Sequence, residues 1–135
     1  MAARFESKLV EIENSIENVF AFLSDFNNFE KLMPPQVTNW KATHDECSFT
    51  ISGMASLGMK IIEKTPSTLI KIESLPGKIP FTFHLFVQLT SLASAKTQGQ
   101  LVFDSADMNP MVRMMVEKPL KSFFDLLVEK MKDIK

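Results

Sequence analysis

The chain has 135 residues, the size of one domain, and residues 1–135 are expected to fold as a single domain around one hydrophobic core. Its 15 Lys and Arg residues against 16 Asp and Glu residues give a net charge of -1, which argues against nucleic acid as a partner. A lone cysteine excludes an intramolecular disulfide, and the lack of a long apolar run or an apolar N-terminal segment predicts a soluble cytoplasmic protein without an integral membrane segment.

The first predicted elements are one strand and two short helices. FESKLVEI, residues 5–12, is rich in strand-forming residues. Asn14 followed by Glu17 three residues later has the spacing of a capping box, which predicts a helix that begins there. A second short helix is expected over roughly residues 26–33, because Pro34 and Pro35 cannot continue it.

From Val37 onward the apolar residues repeat every second position, which predicts half-buried antiparallel strands. Turns are expected around Gly53 and in SLPGKIP, residues 74–80. The segment PFTFHLFVQL predicts a strand with Phe81, Phe83, Leu85, Val87 and Leu89 on one face. QGQLVFDS supplies the last predicted strand.

The C-terminal segment predicts one long helix that begins near Pro110, with a further proline, Pro119, inside it. At about 100° per residue, one apolar stripe runs along its length. The stripe consists of Val112, Val116, Leu120, Phe123, Leu127, Met131 and Ile134. Three methionines, Met108, Met111 and Met115, are expected on its flank, where they either fill an irregular gap or line a ligand cavity.

Strand, two short helices, about six antiparallel strands and a long C-terminal helix together form an α+β pattern. In this order the chain resembles the SRPBCC superfamily, the helix-grip proteins that include START domains, birch-pollen-type allergens and polyketide cyclases. The segments ENVFAFLSDFNNFEKLMPP and NPMVRMMVEKPLKSFFDLLVEKM carry the resemblance. It implies a curved antiparallel seven-stranded sheet, two short helices after strand 1, and a C-terminal helix packed across the sheet over a cavity.

Catalytic machinery is not recognisable in the sequence, so no catalytic residue, metal or cofactor is assigned. His44 lies in a polar turn, and His84 alternates with an apolar face and should point outward. Cys47 shares the parity of Phe49 and Ile51, which predicts a buried small hydrophobe rather than a nucleophile. No cluster of His and Cys has the spacing of a zinc site, and no glycine-rich phosphate loop is present.

Three functions remain open. The first is binding or carriage of a small hydrophobic ligand, lipid-like or polycyclic, between the sheet and the last helix. The second is a cyclase or dehydratase, which His84, Asp104 or Glu73 inside a pocket would favour. The third is an interaction module of the chaperone-activator type, which a filled interior would favour. The sequence leaves homo-oligomerisation open.

The ligand-binding prediction assigns twelve apolar residues to the cavity. They are Phe29, Met33, Phe49, Ile51, Met59, Phe83, Leu85, Met108, Met111, Val112, Met115 and Phe123.

Overall fold

The computed structural model describes residues 3–51, 55–75 and 81–134. The strands are β1 (Ala3–Glu6), β2 (Val10–Ile12), β3 (Val37–Ala42), β4 (Glu46–Ile51), β5 (Ala55–Thr65), β6 (Leu69–Ser74), β7 (His84–Ala93) and β8 (Lys96–Ser105). The helices are α1 (Ile16–Leu23), α2 (Phe26–Phe29), which a 3₁₀ turn (Glu30–Leu32) follows, and α3 (Pro110–Met131). The turn expected around Gly53 and most of the turn expected in SLPGKIP lie outside the described residues.

All strands belong to one curved antiparallel sheet, in the order β1-β8-β7-β6-β5-β4-β3, and β2 also pairs with β8. The predicted first strand is therefore split in two along β8. Ser7 explains the break, because its side-chain oxygen accepts a hydrogen bond from the Leu101 backbone N–H at 2.9 Å, where a strand carbonyl would otherwise accept it. The predicted α+β architecture, with a long C-terminal helix on an antiparallel sheet, is confirmed.

The alternation predicted for PFTFHLFVQL is present. Leu85, Val87 and Leu89 are buried, whereas His84 and Gln88 lie on the opposite face of β7. Successive side chains of a strand point to opposite faces, so the buried side chains all lie on one face of the sheet, which packs against the helices. The core therefore lies between that face and the three helices.

Helix α1 begins one residue later than predicted. Ser15 is the N-cap, and its hydroxyl accepts a hydrogen bond from the Asn18 backbone N–H at 3.3 Å. The Asn14 side chain instead accepts from the Ser15 N–H at 2.8 Å, so Asn14 supports the cap from outside the helix. Helix α2 is capped by Asp25, whose carboxylate accepts from the Asn27 N–H at 2.9 Å.

Helix α3 begins at the N-cap Asn109, whose side chain accepts a hydrogen bond from the Val112 N–H at 2.8 Å, and Pro110 occupies its first turn as predicted. The helix is continuous to Met131, with Pro119 exposed inside it. Its buried face is Val116, Leu120, Phe123, Phe124, Leu127, Val128 and Met131. The predicted stripe is thus correct from Val116 onward, and Phe124 and Val128 widen it.

The C-terminal end of α3 lies close to β8 because β8 carries a glycine there. A Cβ atom on Gly99 would lie 3.0 Å from the Met131 methyl group. The missing side chain lets Met131 pack against the strand backbone, which fixes the end of the helix on the sheet. The Asn14 side-chain amide donates to the Ile134 carbonyl at 3.3 Å and ties the following residues to the start of α1.

Candidate functional site

A small cavity lies between the sheet and the helices, with a volume of about 30 Å³. Its walls come from β4, β5, β7, β8, α2, α3 and the segments that flank them, and every lining side chain is apolar. They are Phe29, Met33, Phe49, Ile51, Leu57, Met59, Phe81, Phe83, Leu85, Phe103, Leu120, Phe123, Phe124 and Leu127. A space of this size holds about one water-sized sphere, so the interior is almost completely filled.

Aromatic rings cross this cavity from the sheet to α3. The ring centroid of Phe103 lies 5.1 Å from that of Phe83 and 5.7 Å from that of Phe124. On the other side, the Phe123 ring stacks on Phe49 at 6.4 Å and contacts Phe124 edge-on at 5.8 Å. Aromatic pairs at these distances contribute roughly 0.5–1.5 kcal/mol beyond their area burial. The rings therefore attach the middle of α3 to β8 on one side of the sheet and to β4 on the other.

The cavity wall is most exposed at Met33 and Leu57, and this place is called its opening here. These two residues are half-buried, whereas the other lining side chains are buried. Met33 follows the 3₁₀ turn directly, and Leu57 lies on β5 opposite Phe49 of β4. Trp40 on the edge strand β3 packs on the same Phe49, with ring centroids 5.3 Å apart, and covers it from the edge.

Eight of the twelve residues predicted for the site lie on the cavity wall. They are Phe29, Met33, Phe49, Ile51, Met59, Phe83, Leu85 and Phe123. The structure adds six that the prediction did not include, namely Leu57, Phe81, Phe103, Leu120, Phe124 and Leu127. Phe103 could have been predicted from the sequence, because in QGQLVFDS it lies two residues after Leu101 and therefore on the same face of the strand.

The other four predicted residues are not on the cavity wall. Met108 is buried outside it, and Val112 is half-buried against the core. Met111 and Met115 are 74% and 71% exposed, so placing them beside the cavity was wrong. The reason is the helical phase: Met111 precedes Leu120 by nine residues, which at 100° per residue places it about 180° away.

The candidate nucleophile and bases lie away from the cavity. Cys47 is buried, and burial raises the pKa of its thiol to about 12, so the reactive thiolate is suppressed at neutral pH. The exposed His44 contacts the Asp45 carboxylate at 2.8 Å, and this hydrogen bond lowers the pKa of Asp45. His84 lies on the outer face of the sheet, 3.7 Å from the Glu73 carboxylate.

Two aspartates that precede α3 in the chain, Asp107 and Asp104, also lie outside the cavity wall. Asp107 accepts hydrogen bonds from the Thr82 N–H at 2.9 Å and from the Thr82 hydroxyl at 3.0 Å. Together with one from the Ser105 hydroxyl, these bonds lower the pKa of Asp107 and fix the loop before α3. Asp104 on β8 is the cross-strand partner of both His84 and Arg4, on the outer face.

Within residues 3–51, 55–75 and 81–134, no three His, Cys, Asp or Glu side chains are grouped so that they could hold a metal ion. None of the helices described there is long and apolar enough to cross a membrane.

Solved structures provide the comparison that identifies the fold. A START superfamily protein from Mycobacterium smegmatis superposes with a TM-score of 0.76 at 15% identity, covering 96% of this chain and 94% of that one. The fold is the helix-grip fold of the START and SRPBCC proteins. The Zhui aromatase/cyclase from Streptomyces sp. R1128 matches this helix-grip chain with a TM-score of 0.70 at 12% identity, covering 100% and 97%.

A truncated norcoclaurine synthase from Thalictrum flavum gives a TM-score of 0.73 at 9% identity, covering 98% of this chain and 92% of that one. Comparison with family profiles and with curated protein sequences finds no match. The similarity therefore concerns the helix-grip fold alone, and the chemistry has to be argued from the residues of this chain.

Proposed function

We propose that this chain is a non-catalytic binding protein that takes a small hydrophobic molecule, lipid-like or polycyclic, into the cavity between the sheet and α3. The observation that carries the proposal is the composition of the cavity wall, in which seven phenylalanines and two methionines stand among fourteen apolar side chains. Such a wall offers dispersion contacts and no hydrogen-bonding group. It suits a ligand whose buried part carries neither charge nor hydrogen-bond donors.

The same wall argues against a cyclase or dehydratase, the enzyme alternative. General acid–base catalysis needs an ionisable group within hydrogen-bond reach of the substrate. The candidates His84, Glu73 and Asp104 lie on the outer face of the sheet, outside the cavity wall. A ligand in the cavity would contact none of them.

A ligand has to displace some wall side chains in order to enter. Binding pockets for small molecules typically measure about 300–1,000 Å³, roughly ten times or more the cavity present here. Met33 and Leu57 at the opening are half-buried, so displacing them should disrupt less packing than displacing a buried side chain. The flexible thioethers of Met33 and Met59 adapt to different shapes. Entry is therefore expected at this pair, with the buried phenylalanines repacking around the guest.

The test is a fluorescence titration with N-phenyl-1-naphthylamine, a neutral polycyclic probe that brightens in apolar surroundings. The wild-type chain is expected to bind the probe, and Leu57→Phe, which fills the opening, is expected to bind it at least tenfold more weakly. Leu92→Phe is the matched control, because Leu92 on β7 is 46% exposed and lies off the cavity wall. Absence of binding to wild type, or equal affinity of the two variants, would contradict the proposal.

An interaction module of the chaperone-activator type is the second candidate. Two observations favour it: the interior is nearly filled, and three methionines on α3, Met111, Met114 and Met115, are exposed to solvent. An exposed apolar patch is typical of a surface that binds a partner. Failure of every neutral probe to enter the wild-type chain would make this the leading function.

A further inference from the structure

The first two turns of α3 carry a methionine cluster, defined here as Met111, Met114 and Met115. These side chains are 74%, 83% and 71% exposed, more than any other large hydrophobic residue described. The remaining methionines of the described chain are half-buried or buried: Met33, Met59, Met108 and Met131. The cluster makes no contribution to the cavity wall, so neither the core nor the proposed ligand explains it.

The spacing of the cluster brings its three sulfur atoms within reach of one another. Residues separated by three or four positions on a helix have Cβ atoms about 5–6 Å apart. Met114 and Met115 therefore lie one turn beyond Met111, one on each side of it around the helix axis. Each methionine has three rotatable bonds, so the three thioethers can converge on a point above the exposed surface.

Thioether sulfur is a soft, uncharged ligand that carries no proton. It selects soft cations such as Cu(I) over hard ones such as Mg²⁺ or Ca²⁺, which require oxygen ligands. We propose that Met111, Met114 and Met115 form a surface site for a soft monovalent cation, Cu(I), with the three sulfur atoms as ligands. The site is independent of the cavity and of the ligand proposed for it.

The charges around the methionine cluster affect its expected affinity for a cation. The Arg113 guanidinium is held away from the cluster, because its Nε contacts the Glu117 carboxylate at 3.4 Å and its Cζ lies 5.8 Å from the Phe5 ring centroid. Lys118 follows one turn later on the exposed face, and the positive end of the helix dipole is near. Both oppose a cation, so binding depends on all three sulfur atoms together.

Methyl-labelled methionine makes the proposal directly measurable, because each of the nine methionines gives its own NMR signal. The wild-type chain carrying ¹³C-methyl methionine is titrated with Ag(I), a redox-inert substitute for Cu(I). The Met111, Met114 and Met115 signals are expected to shift together and saturate at one equivalent, while the Met33 and Met59 signals stay in place. Absence of these shifts at a tenfold excess of Ag(I) would overturn the proposal.

The triple variant Met111→Leu, Met114→Leu and Met115→Leu separates sulfur chemistry from apolarity, because leucine keeps the apolar surface and removes the ligand atoms. Its Cu(I) affinity, measured anaerobically by competition with bicinchoninate, is expected to fall at least tenfold, with an unchanged melting temperature. Equal affinity in the triple variant would overturn the proposal, because that variant lacks all three thioether ligands. The NMR titration uses the wild-type chain and does not depend on the variant.

Discussion

Replacing Phe123 by alanine tests how α3 is held on the sheet. The side chain of Phe123 is 6% exposed. Its ring centroid lies 6.4 Å from that of Phe49, on which it stacks, and 5.8 Å from that of Phe124, which it meets edge-on. Loss of the buried ring removes about 2–3 kcal/mol of transfer free energy. The void that remains adds about 1–2 kcal/mol, so the free energy of unfolding is expected to fall by about 3–5 kcal/mol. For a chain of this size the melting temperature should fall by roughly 10–20 °C.

Urea denaturation followed by circular dichroism measures this loss, with Leu126→Ala as the matched control. Leu126 lies three residues further along the same helix but is 40% exposed, so its truncation should cost less than about 1 kcal/mol. The new void in Phe123→Ala joins the existing cavity and should admit benzene, which raises the melting temperature of this variant. Equal losses in the two variants would refute the packing of α3 through Phe123.

Further predictions concern the cysteine, one aspartate and the exposed methionines. Burial raises the pKa of Cys47 from 9.0 to about 12, which lowers the thiolate fraction at pH 8 roughly 1,000-fold. Iodoacetamide at pH 8 should therefore alkylate Cys47 more slowly in the folded chain than in urea by about this factor, and equal rates would show that the thiol is accessible. Hydrogen bonds from Thr82 lower the pKa of Asp107 in the folded state below its ordinary value of 3.8. The ionised carboxylate therefore stabilises the fold at pH values above 3.8, and this stabilisation is lost as the pH falls from 3.8 through the lower pKa of the folded state. Asp107→Asn should therefore lower the melting temperature at pH 7, and the difference from wild type should shrink below pH 4; a constant difference would contradict the assignment. Met111→Leu and Met115→Leu should change the free energy of unfolding by less than about 0.5 kcal/mol and leave probe affinity unchanged, as a fluorescence titration and urea denaturation would show.

The strand faces were predictable because their signal is local. The parity of Phe83, Leu85 and Val87 in one segment decides which face is buried, and a slip of one residue would expose all of them. The break in the first strand was not predictable in this way. It depends on a hydrogen bond between Ser7 and Leu101, which lie 94 residues apart in the chain.

The buried residues of α3 were predictable in the second half of the helix and not in the first. From Val116 onward the stripe packs on the sheet, and Gly99 permits a close approach that buries Val128 and Met131 as well. In the first half of α3, Met111 and Met115 were expected on the flank of the apolar stripe, where they would widen it toward a cavity or an irregular gap. Their angular position around the helix axis places them on the side that faces away from the sheet, so they are exposed although their side chains are apolar.

The same local signals explain the site itself. Seven cavity residues followed from strand parity and from the short helices, and Phe123 followed from the apolar stripe of α3, but the cavity volume did not follow from the sequence. Volume is the small difference between the space that the sheet encloses and the space that seven phenylalanine rings fill. It depends on how these rings pair across the sheet, which no local pattern encodes.

The most direct test of the proposed function is where a neutral probe contacts the chain. Intermolecular NOEs between N-phenyl-1-naphthylamine and ¹³C-methyl methionine distinguish the cavity, marked by Met33 and Met59, from the exposed face of α3, marked by Met111 and Met114. Binding in the cavity predicts NOEs to the Met33 and Met59 methyl groups and none to the exposed pair. NOEs to Met111 and Met114 alone would contradict the cavity as the binding site.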